Sequence, residues 1–474
     1  MKSLILRLKT LLYFPISMYF SFFAKPVLFT SRQKVIAVTG SVGKSSMVEL
    51  FDIILKNSKI QYRYAEHVNS AIGIPLEILN LTPPEQGGLQ EWAKIFLLAP
   101  VHSITETVKR RNYKGYYLVE TDSDRPGELQ HIGSLLRPYI VIWLNATITH
   151  SAYHDAFVKK GKVISIIESI ALDFSQALLK MQKKGLAILN CDDIMIEKYK
   201  KRAIGNMVEI HLQQKPIRST AYKTSGLNSI FDFVIDKEAI KKELWMYPID
   251  AAVLGSWDEQ VHIEISNFLL PAYYKYTFAS AIMFAISLNV QFGVFMKAVS
   301  EYKLPPGRMS TFEGIHNTYL IDSTYNSSRD ALEGAIKLLA EFEQTAAILG
   351  DMRELGDETE EEHQKVAQIL IDNNIDKVFL AGPAMSTFTY NYLIEHDFNK
   401  ANLYKYTTVA ELKKDFVAKK FSQIQSGSII LIKGSQNELF MESIVELLLK
   451  DKNKIAYLCR RGRIWDERRI NAGL

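Results

Sequence analysis

The most constraining feature of the sequence is an apolar run that ends in a glycine loop with a lysine and two hydroxyl side chains. It reads Val-Ile-Ala-Val-Thr-Gly-Ser-Val-Gly-Lys-Ser-Ser over residues 35–46. Residues 35–38 suit a buried parallel strand, and residues 47–55 carry apolar side chains at helical spacing. A glycine loop between a strand and a helix N-terminus turns its backbone N–H groups toward phosphate oxygens. The predicted phosphate-binding residues are Gly40, Ser41, Gly43, Lys44, Ser45 and Ser46, and Ser45 is also a candidate magnesium ligand.

The spacing of the two loop glycines leaves a second interpretation open. The common phosphate-binding loop has four residues between its glycines, whereas Gly40 and Gly43 are separated by Ser41 and Val42 alone. An ordinary glycine-rich turn is therefore the alternative. The strand before the loop and the helix after it favour nucleotide binding.

Length and composition indicate a globular protein of two or three domains, because 474 residues with 47% hydrophobic content exceed one core. The two cysteines, Cys191 and Cys459, fit no disulfide framework or metal spacing and indicate a reducing compartment. The net charge of +5 is unevenly spread, since residues 1–34 hold six basic and no acidic side chains. The body between the two basic ends is mildly acidic. Nothing in it resembles the basic stripe that binds nucleic acid, and nothing indicates an oligomeric state.

An uncharged, aromatic-rich run occupies residues 11–24, between Lys9 and Lys25. It is shorter than the roughly 20 apolar residues of a transmembrane helix, and no signal-peptide cleavage site follows it. Basic flanks and aromatic side chains favour a segment that lies in a membrane interface of anionic lipid, at the cytoplasmic face. A true membrane span and an apolar helix packed on the protein itself are the alternatives.

Apolar strands that end in polar residues recur between residues 35 and 195. The pattern is found at 115–120, 139–144 and 187–193. Strands that alternate with helices in this way predict a parallel, doubly wound sheet, whose carboxyl edge faces the ligand crevice. Glu120 is thus a candidate magnesium ligand. His150 ends a strand at the same edge and is a candidate catalytic and metal-binding residue, with a structural histidine as the alternative.

The second half of the chain begins with alternating patterns over residues 205–270, which indicate short antiparallel strands. A linker rich in proline and glycine follows at 304–309, with Arg308 as its one charged residue. Strands and helices then alternate again over 311–450, without a dinucleotide fingerprint. The predicted fold is α/β, with a central P-loop domain on a doubly wound, mostly parallel sheet and a C-terminal Rossmann-like domain. The predicted segments are 1–33 (basic, aromatic), 34–305 (central domain), 306–455 (C-terminal domain) and 456–474 (basic tail).

The order of these motifs resembles the Mur ligase family, and within it the branch that adds D-alanyl-D-alanine. The resemblance covers residues 34–450, and no single motif carries it. Its motifs are 39–45, 69–75, Glu120 with 125–128, His150, 190–193, 306–308, 321–326, 349–356 and 433–435. The last two are the most specific to that branch.

The resemblance implies ATP-dependent amide formation in peptidoglycan precursor synthesis, with ATP and Mg²⁺ as cofactors. ATP would phosphorylate an acceptor carboxylate, and the amine of an amino acid or of D-alanyl-D-alanine would attack the acyl phosphate. Lys44 would hold phosphates, Glu120 and His150 would act at the metal, and Arg308 would meet phosphate as the domains close. The resemblance assigns nucleotide contacts to Arg308, Asp322 and Asn326, and substrate contacts to Asn69, Asp351, Glu354 and Lys433.

Departures from the family pattern bear on the acceptor and on turnover. Only 34 residues precede the strand at 35, where family members carry a domain that binds a uridine-diphosphate sugar. We therefore expect a small-molecule or lipid-linked precursor at the membrane, or one held by a partner protein. The place of the family's carbamylated lysine is taken by Phe174, and that of its adenine-binding asparagine by Tyr276 or Thr277. The alternatives are a nucleotide-binding scaffold or regulator at the membrane and, disfavoured by residues 349–356, a folate or polyglutamate ligase.

Overall fold

The structure, a computed structural model, describes residues 2–66, 68–84, 88–148, 153–159, 161, 163–435 and 438–474, with the side chains of 2–11, 156 and 157 excepted. Two six-stranded sheets and one three-stranded sheet organise it. The first part contains α1 (Lys2–Ser31), β1 (Lys34–Thr39), α2 (Lys44–Asn57), β2 (Tyr62–Tyr64), α3 (Gly73–Ile78), α4 (Leu89–Arg110), β3 (Tyr116–Glu120), α5 (Glu128–Leu136), β4 (Ile140–Trp143), α6 (Asp155–Lys159), α7 (Ile166–Phe174), α8 (Gln176–Lys180), β5 (Leu186–Asn190), α9 (Ile194–Tyr199) and β6 (Asn206–Ile210).

The middle of the chain contains β7 (Ile217–Ser225), β8 (Asn228–Ile235), α10 (Lys237–Glu243), α11 (Ala251–Ser256), β9 (Gln260–Ile265), α12 (Tyr274–Ser287) and α13 (Phe292–Glu301). The last part contains β10 (Ser310–Glu313), β11 (Tyr319–Ser323), α14 (Arg329–Leu339), β12 (Thr345–Gly350), α15 (Thr359–Asp372), β13 (Lys377–Ala381), α16 (Tyr390–Glu395), β14 (Leu403–Tyr406), α17 (Val409–Ala418), β15 (Ile429–Lys433), α18 (Glu442–Leu448) and α19 (Arg463–Asn471).

The first sheet is parallel throughout and has the strand order β2-β3-β1-β4-β5-β6. Its central strands are buried because their β-branched and leucine side chains are covered on both faces, as a parallel sheet requires. From β1 the chain passes to the edge strand β2 and back inward to β3, then crosses to β4 on the other side of β1 and continues outward through β5 and β6. The loop after β1 therefore opens at the switch point of the sheet, where α/β proteins bind ligands.

The antiparallel sheet β7-β8-β9 and the helix α12 extend the core of the first sheet. Phe51 of α2 stacks on Phe284 of α12 with ring centroids 3.8 Å apart, and Phe231 of β8 lies 4.9 Å from Phe278. These contacts make a continuous apolar core behind the phosphate loop, and they hold α2 in place.

The second sheet has the order β10-β11-β15-β12-β13-β14, with β10 antiparallel and the other strands parallel. Together the two large sheets confirm the predicted α/β fold, with a doubly wound central sheet and a second Rossmann-like sheet. The predicted strand at 35–38 corresponds to β1, the short antiparallel strands predicted over 205–270 include β8, and the strands predicted over 311–450 include β15.

The helix α1 is packed on the protein along one side only. Phe20, Ala24 and Val27 are buried, and the Tyr19 hydroxyl donates to the Phe96 carbonyl at 2.8 Å. The opposite side is exposed at Met18, Phe22 and Phe29. The segment Leu12–Ser31 is long and apolar enough to cross a membrane by length and composition. The structure therefore supports the packed interpretation for one side of α1 and leaves an apolar side uncovered.

Candidate functional site

The phosphate loop has the backbone that phosphate binding needs. Gly40 and Gly43 adopt φ values of +135° and +87°, which favour glycine, and a Cβ on Gly40 would lie 3.1 Å from the Asn145 backbone. The Asn145 side chain fixes the loop at the end of β4. Its Oδ1 accepts from the Val42 N–H and its Nδ2 donates to the Val42 carbonyl, both at 2.8 Å. The loop is thus held open as a cradle ahead of α2.

Lys44 is paired with a carboxylate that the sequence reasoning did not single out. Its Nζ lies 2.9 Å from Asp122 Oδ2, and both side chains are about nine-tenths buried. Asp122 follows Glu120 by two residues at the carboxyl end of β3. That position, at the edge of the sheet where ligands bind, could have identified Asp122 from the sequence. The pair holds the Lys44 ammonium at the mouth of the loop.

Ser45, Glu120 and Arg308 meet at one point. The Ser45 hydroxyl donates to Glu120 Oε2 at 2.7 Å and accepts from Arg308 Nη2 at 3.0 Å. Asn69 Nδ2 lies 3.5 Å from both Glu120 Oε1 and Asp122 Oδ2. A hydroxyl and carboxylates are the hard oxygen ligands that Mg²⁺ prefers, so these residues fit a magnesium ion next to bound phosphates.

Arg308 reaches the loop from the linker between α13 and β10. Gly307 turns there with φ +75°, where a Cβ would lie 2.9 Å from the Tyr325 N atom. The Arg308 guanidinium lies over the Tyr325 ring, 4.4 Å from its centroid. Among the described residues, the buried Nε of Arg308 has no hydrogen-bond partner. A buried N–H donor without an acceptor is costly, so this group fits an incoming anion.

These residues line a cavity of about 530 Å³ between the two large sheets. One wall is the phosphate loop with Glu120 and Asp122, and the other comes from the second sheet and its loops. Of the residues predicted from sequence, the lining includes Ser41, Gly43, Lys44, Ser45, Ser46, Asn69, Glu120, Arg308, Asn326, Glu354 and Lys433. The structure therefore brings residues that are far apart in sequence to one cavity.

Lys433 is a buried amine in the far wall. Its Nζ donates to Ser323 Oγ at 3.1 Å and to the Asn326 carbonyl at 2.9 Å. Burial, with the neighbouring charge of Arg308, lowers the pKa of Lys433 to about 7, and Asp322 opposes that shift. Near neutral pH the group can therefore be an uncharged amine that faces the cavity.

Asp322 and Asp351 lie outside the cavity lining. Asp322 Oδ1 accepts from the Thr324 N–H and hydroxyl, and burial raises the pKa of Asp322 to about 6. The Asp351 carboxylate accepts from the Met385 N–H at 2.7 Å and the Ala384 N–H at 3.2 Å. Asp351 is therefore bound by N–H groups of the second sheet's own loops, whereas Asp322 Oδ2 is buried and has no hydrogen-bond partner among the described residues. Their predicted roles in binding stay predictions.

His150, expected at the metal, lies outside the described residues. Phe174, at the place of the family's metal-bridging lysine, is buried and packs on Trp143 with ring centroids 6.2 Å apart. The adjacent Asp173 accepts from Ser123 Oγ at 2.7 Å and from the Gly127 N–H at 2.9 Å. Phe174 is thus part of the hydrophobic core, while Asp173 orders the loop that follows Glu120.

A second cavity of about 330 Å³ adjoins the phosphate loop at Val42 and includes Asn145, Tyr222 and Tyr273 in its lining. Tyr276 and Thr277, at the place of the family's adenine-binding asparagine, do not line this cavity, although a Cβ on Gly43 would lie 3.9 Å from Thr277 Oγ1. The Tyr276 hydroxyl donates to Asp192 Oδ2 at 3.0 Å, and Thr277 is buried in α12. The adjoining cavity, whose lining also includes the carboxylates of Asp330, Glu333 and Glu341, is a candidate site for the base.

The C-terminal tail contributes to the main cavity, which the sequence did not predict. Leu458, Cys459 and Arg460 line it. Arg460 forms a buried ion pair with Glu442 at 2.9 Å. Its guanidinium also donates to the carbonyls of Thr324 and Tyr325 at 2.5 and 3.0 Å. This arginine therefore fixes the loop that carries the Tyr325 ring under Arg308.

Two family descriptions match the chain. The Mur ligase middle domain matches residues 38–244, and the Mur ligase, glutamate ligase domain matches residues 307–436. The two matched regions supply the two walls of the main cavity.

Two curated relatives share a name. The UDP-N-acetylmuramoyl-tripeptide–D-alanyl-D-alanine ligase of Escherichia coli is 24% identical over 421 residues, 88% of this chain and 76% of that protein. The ligase of the same name from Buchnera aphidicola is 24% identical over 422 residues, 89% of this chain and 76% of that protein.

Solved structures share the fold. MurF from Acinetobacter baumannii superimposes with a TM-score of 0.69 at 16% identity, covering 91% of this chain and 79% of that one. MurF ligase from Thermotoga maritima in complex with ADP gives a TM-score of 0.65 at 19% identity, covering 92% and 84%. At these identities the likeness establishes the fold.

Proposed function

This chain belongs to the Mur ligase family, and from that membership we propose that it is an ATP-dependent ligase of peptidoglycan precursor synthesis. It joins an acceptor carboxylate to the amine of an amino acid or of D-alanyl-D-alanine. The observation that carries the proposal is the contact of Arg308 with Ser45, which brings a cation from the inter-domain linker to the phosphate loop. A scaffold that only bound nucleotide would not need that contact.

The phosphate loop holds ATP. Loop N–H groups and the Lys44 ammonium bind the β- and γ-phosphates, after Lys44 exchanges Asp122 for phosphate oxygens. Ser45 and Glu120 hold Mg²⁺, which neutralises phosphate charge when bound. Arg308 stabilises the negative charge that develops as the acceptor carboxylate is phosphorylated. The adenine lies in the adjoining cavity with Tyr222 and Tyr273.

The far wall receives the incoming amine. Asn326, Glu354 and Lys433 line it, and Asn69 faces them from the central domain. Because burial lowers the pKa of Lys433 to about 7, part of the Lys433 population is uncharged at neutral pH, and it repels a substrate ammonium less than an ordinary lysine would. Glu354 supplies a carboxylate for the same ammonium.

The exposed side of α1 bears on where the enzyme works and which acceptor it meets. We propose that the exposed side of α1 holds the enzyme at the cytoplasmic face of the membrane, where a lipid-linked precursor is within reach as well as a soluble one. The support is the uncovered apolar side of α1 with basic residues on both flanks.

Phosphate release tests the proposal. With ATP, Mg²⁺, UDP-N-acetylmuramoyl-tripeptide and D-alanyl-D-alanine, release should require both the acceptor and the amine. Lys44→Ala should abolish it, because the loop loses its full positive charge. Phosphate release that does not depend on the amine, or nucleotide binding without phosphate release, would favour the non-catalytic scaffold.

A further inference from the structure

Two neighbouring helices expose apolar stripes. On α4, Leu97, Val101, Ile104 and Val108 follow one another at helical spacing and are between 55% and 78% exposed. On α1, the corresponding stripe is Met18, Phe22 and Phe29, between 60% and 80% exposed. We call these seven residues the α1–α4 face.

The two stripes lie on one outer surface. The helices pack side by side, since the Ser103 hydroxyl donates to the Phe23 carbonyl at 2.6 Å and the Phe20 and Phe96 rings are 4.8 Å apart. The opposite sides of both helices, with Ala24 and Ala99, are buried against the central domain. Because each stripe is opposite its own buried side, both stripes face away from the domain.

Basic side chains border this surface. Lys25, Arg32, Lys94, Lys109 and Arg111 are exposed on or next to the two helices. On the acidic side Glu91 is exposed, whereas Glu106 is buried and paired with Arg110 at 2.5 Å. A second copy of the chain would set two such basic borders against each other, which costs affinity. Apolar and aromatic side chains inside a basic border fit an anionic bilayer.

We propose that the α1–α4 face is a monotopic docking surface for anionic lipid, with α1 lying on the bilayer instead of crossing it. This docking surface rests on the membrane location proposed above. It adds α4, which lies outside the aromatic-rich run of residues 11–24. Lying flat lets α1 keep its domain contacts, such as the hydrogen bond from the buried Ser17 hydroxyl to the Ala71 carbonyl at 2.6 Å. A spanning α1 would break those contacts and uncover Ile95 and Ala99.

Vesicle flotation of the full chain tests the surface. The Val101→Glu/Ile104→Glu variant changes α4 alone, and the matched control Ile194→Glu/Val417→Glu changes exposed apolar residues on α9 and α17. The wild type and the control should bind phosphatidylglycerol-containing vesicles, and the α4 variant should bind at least about tenfold less, since its acids enter the lipid interface. Equal binding by the two variants, or no binding by the wild type, would overturn the proposal.

Two further measurements separate the alternatives. Alkaline carbonate should release the wild type from membranes, and retention would show a spanning α1 and overturn the proposal. Light scattering should give the same mass for the wild type and the α4 variant, and a dimer lost in the variant would overturn it in favour of a second copy. Calorimetric ADP binding should be unchanged in both variants. Ligase activity with a soluble acceptor is measured without vesicles. Loss of membrane docking and loss of ligase function are therefore distinguishable.

Discussion

Arg308 Nη2 donates a hydrogen bond to Ser45 Oγ, 3.0 Å away, across 263 positions of sequence. The bond joins the inter-domain linker to the phosphate loop, and Ser45 in turn donates to Glu120 at 2.7 Å. A cation, a hydroxyl and a carboxylate thus share one point between two sheets. The arrangement explains why the phosphate loop and the linker belong to one site.

Replacing Arg308 should lower turnover far more than nucleotide affinity. Arg308→Ala removes the linker cation from the phosphates, and we expect a loss of about a hundredfold or more in kcat, with a much smaller change in ADP affinity. Arg308→Lys should recover only part, because an ammonium cannot replace the guanidinium on both Ser45 and phosphate. Phosphate-release kinetics and calorimetry measure the two effects. The control is Arg463→Ala, whose side chain is 91% exposed. Equal losses in kcat and affinity would contradict the assigned role.

Stability should fall as Glu128 ionises. Glu128 accepts from the Ala71 N–H at 2.9 Å and from the Tyr13 hydroxyl, and burial raises its pKa from 4.5 to about 7. The folded protein holds this proton more tightly than the unfolded chain, so the contribution is complete below pH 4.5 and is lost as pH rises through 7.

The Glu128→Gln variant tests this expectation, because it keeps an acceptor oxygen and cannot ionise. Between pH 5 and pH 8 the free energy of unfolding of wild type should drop relative to the variant, by up to about 3 kcal/mol. Urea unfolding at a series of pH values gives the difference. Parallel pH profiles for the two proteins would rule out the buried carboxyl as the cause.

Arg460 should be needed for both stability and the cavity. Among the residues that the structure describes, Arg460→Met leaves the fully buried Glu442 with the more distant Arg469, 3.6 Å away, as its ion-pair partner. We expect the free energy of unfolding to fall by about 3 kcal/mol, since a buried charge loses its close partner. The double variant Arg460→Met/Glu442→Leu should regain most of it. If Arg460→Met were as stable as the wild type, the ion pair of Arg460 with Glu442 would contribute nothing to stability.

Phe174 should matter for packing and not for the metal. Its ring is buried against Trp143, so Phe174→Ala should cost about 3 to 4 kcal/mol in unfolding free energy. The magnesium dependence of turnover should stay unchanged in Phe174→Leu, which keeps most of the apolar volume. A shift in that dependence would instead place this position at the metal.

The sequence predicted the elements around the loop well because their signatures are local. Apolar residues 35–38 and helically spaced residues 47–55 became β1 and α2. The positions of Ser45 and Glu120 at one cavity followed from the rule that parallel strands present their carboxyl ends at one edge, and that of Arg308 followed from the family resemblance.

Other parts of the site depend on contacts that no local pattern contains. A carboxylate after a strand looks the same in sequence whether it faces the crevice, as Asp122 does, or accepts from its neighbours' N–H groups, as Asp351 does. Arg460 reaches the cavity only because Glu442 and two carbonyls hold it there. The basic composition of the tail did not reveal that role.

Isotope transfer from the acceptor shows whether ATP phosphorylates the acceptor carboxylate. If ATP phosphorylates the acceptor carboxylate, an acceptor labelled with ¹⁸O in both carboxyl oxygens must lose one to phosphate and keep one in the new amide. Mass spectrometry of both products after reaction with ATP, Mg²⁺ and D-alanyl-D-alanine reads this outcome. We expect one ¹⁸O atom in the released phosphate for each amide formed, and neither product with Lys44→Ala. Released phosphate without ¹⁸O, or no amide at all, would contradict this expectation.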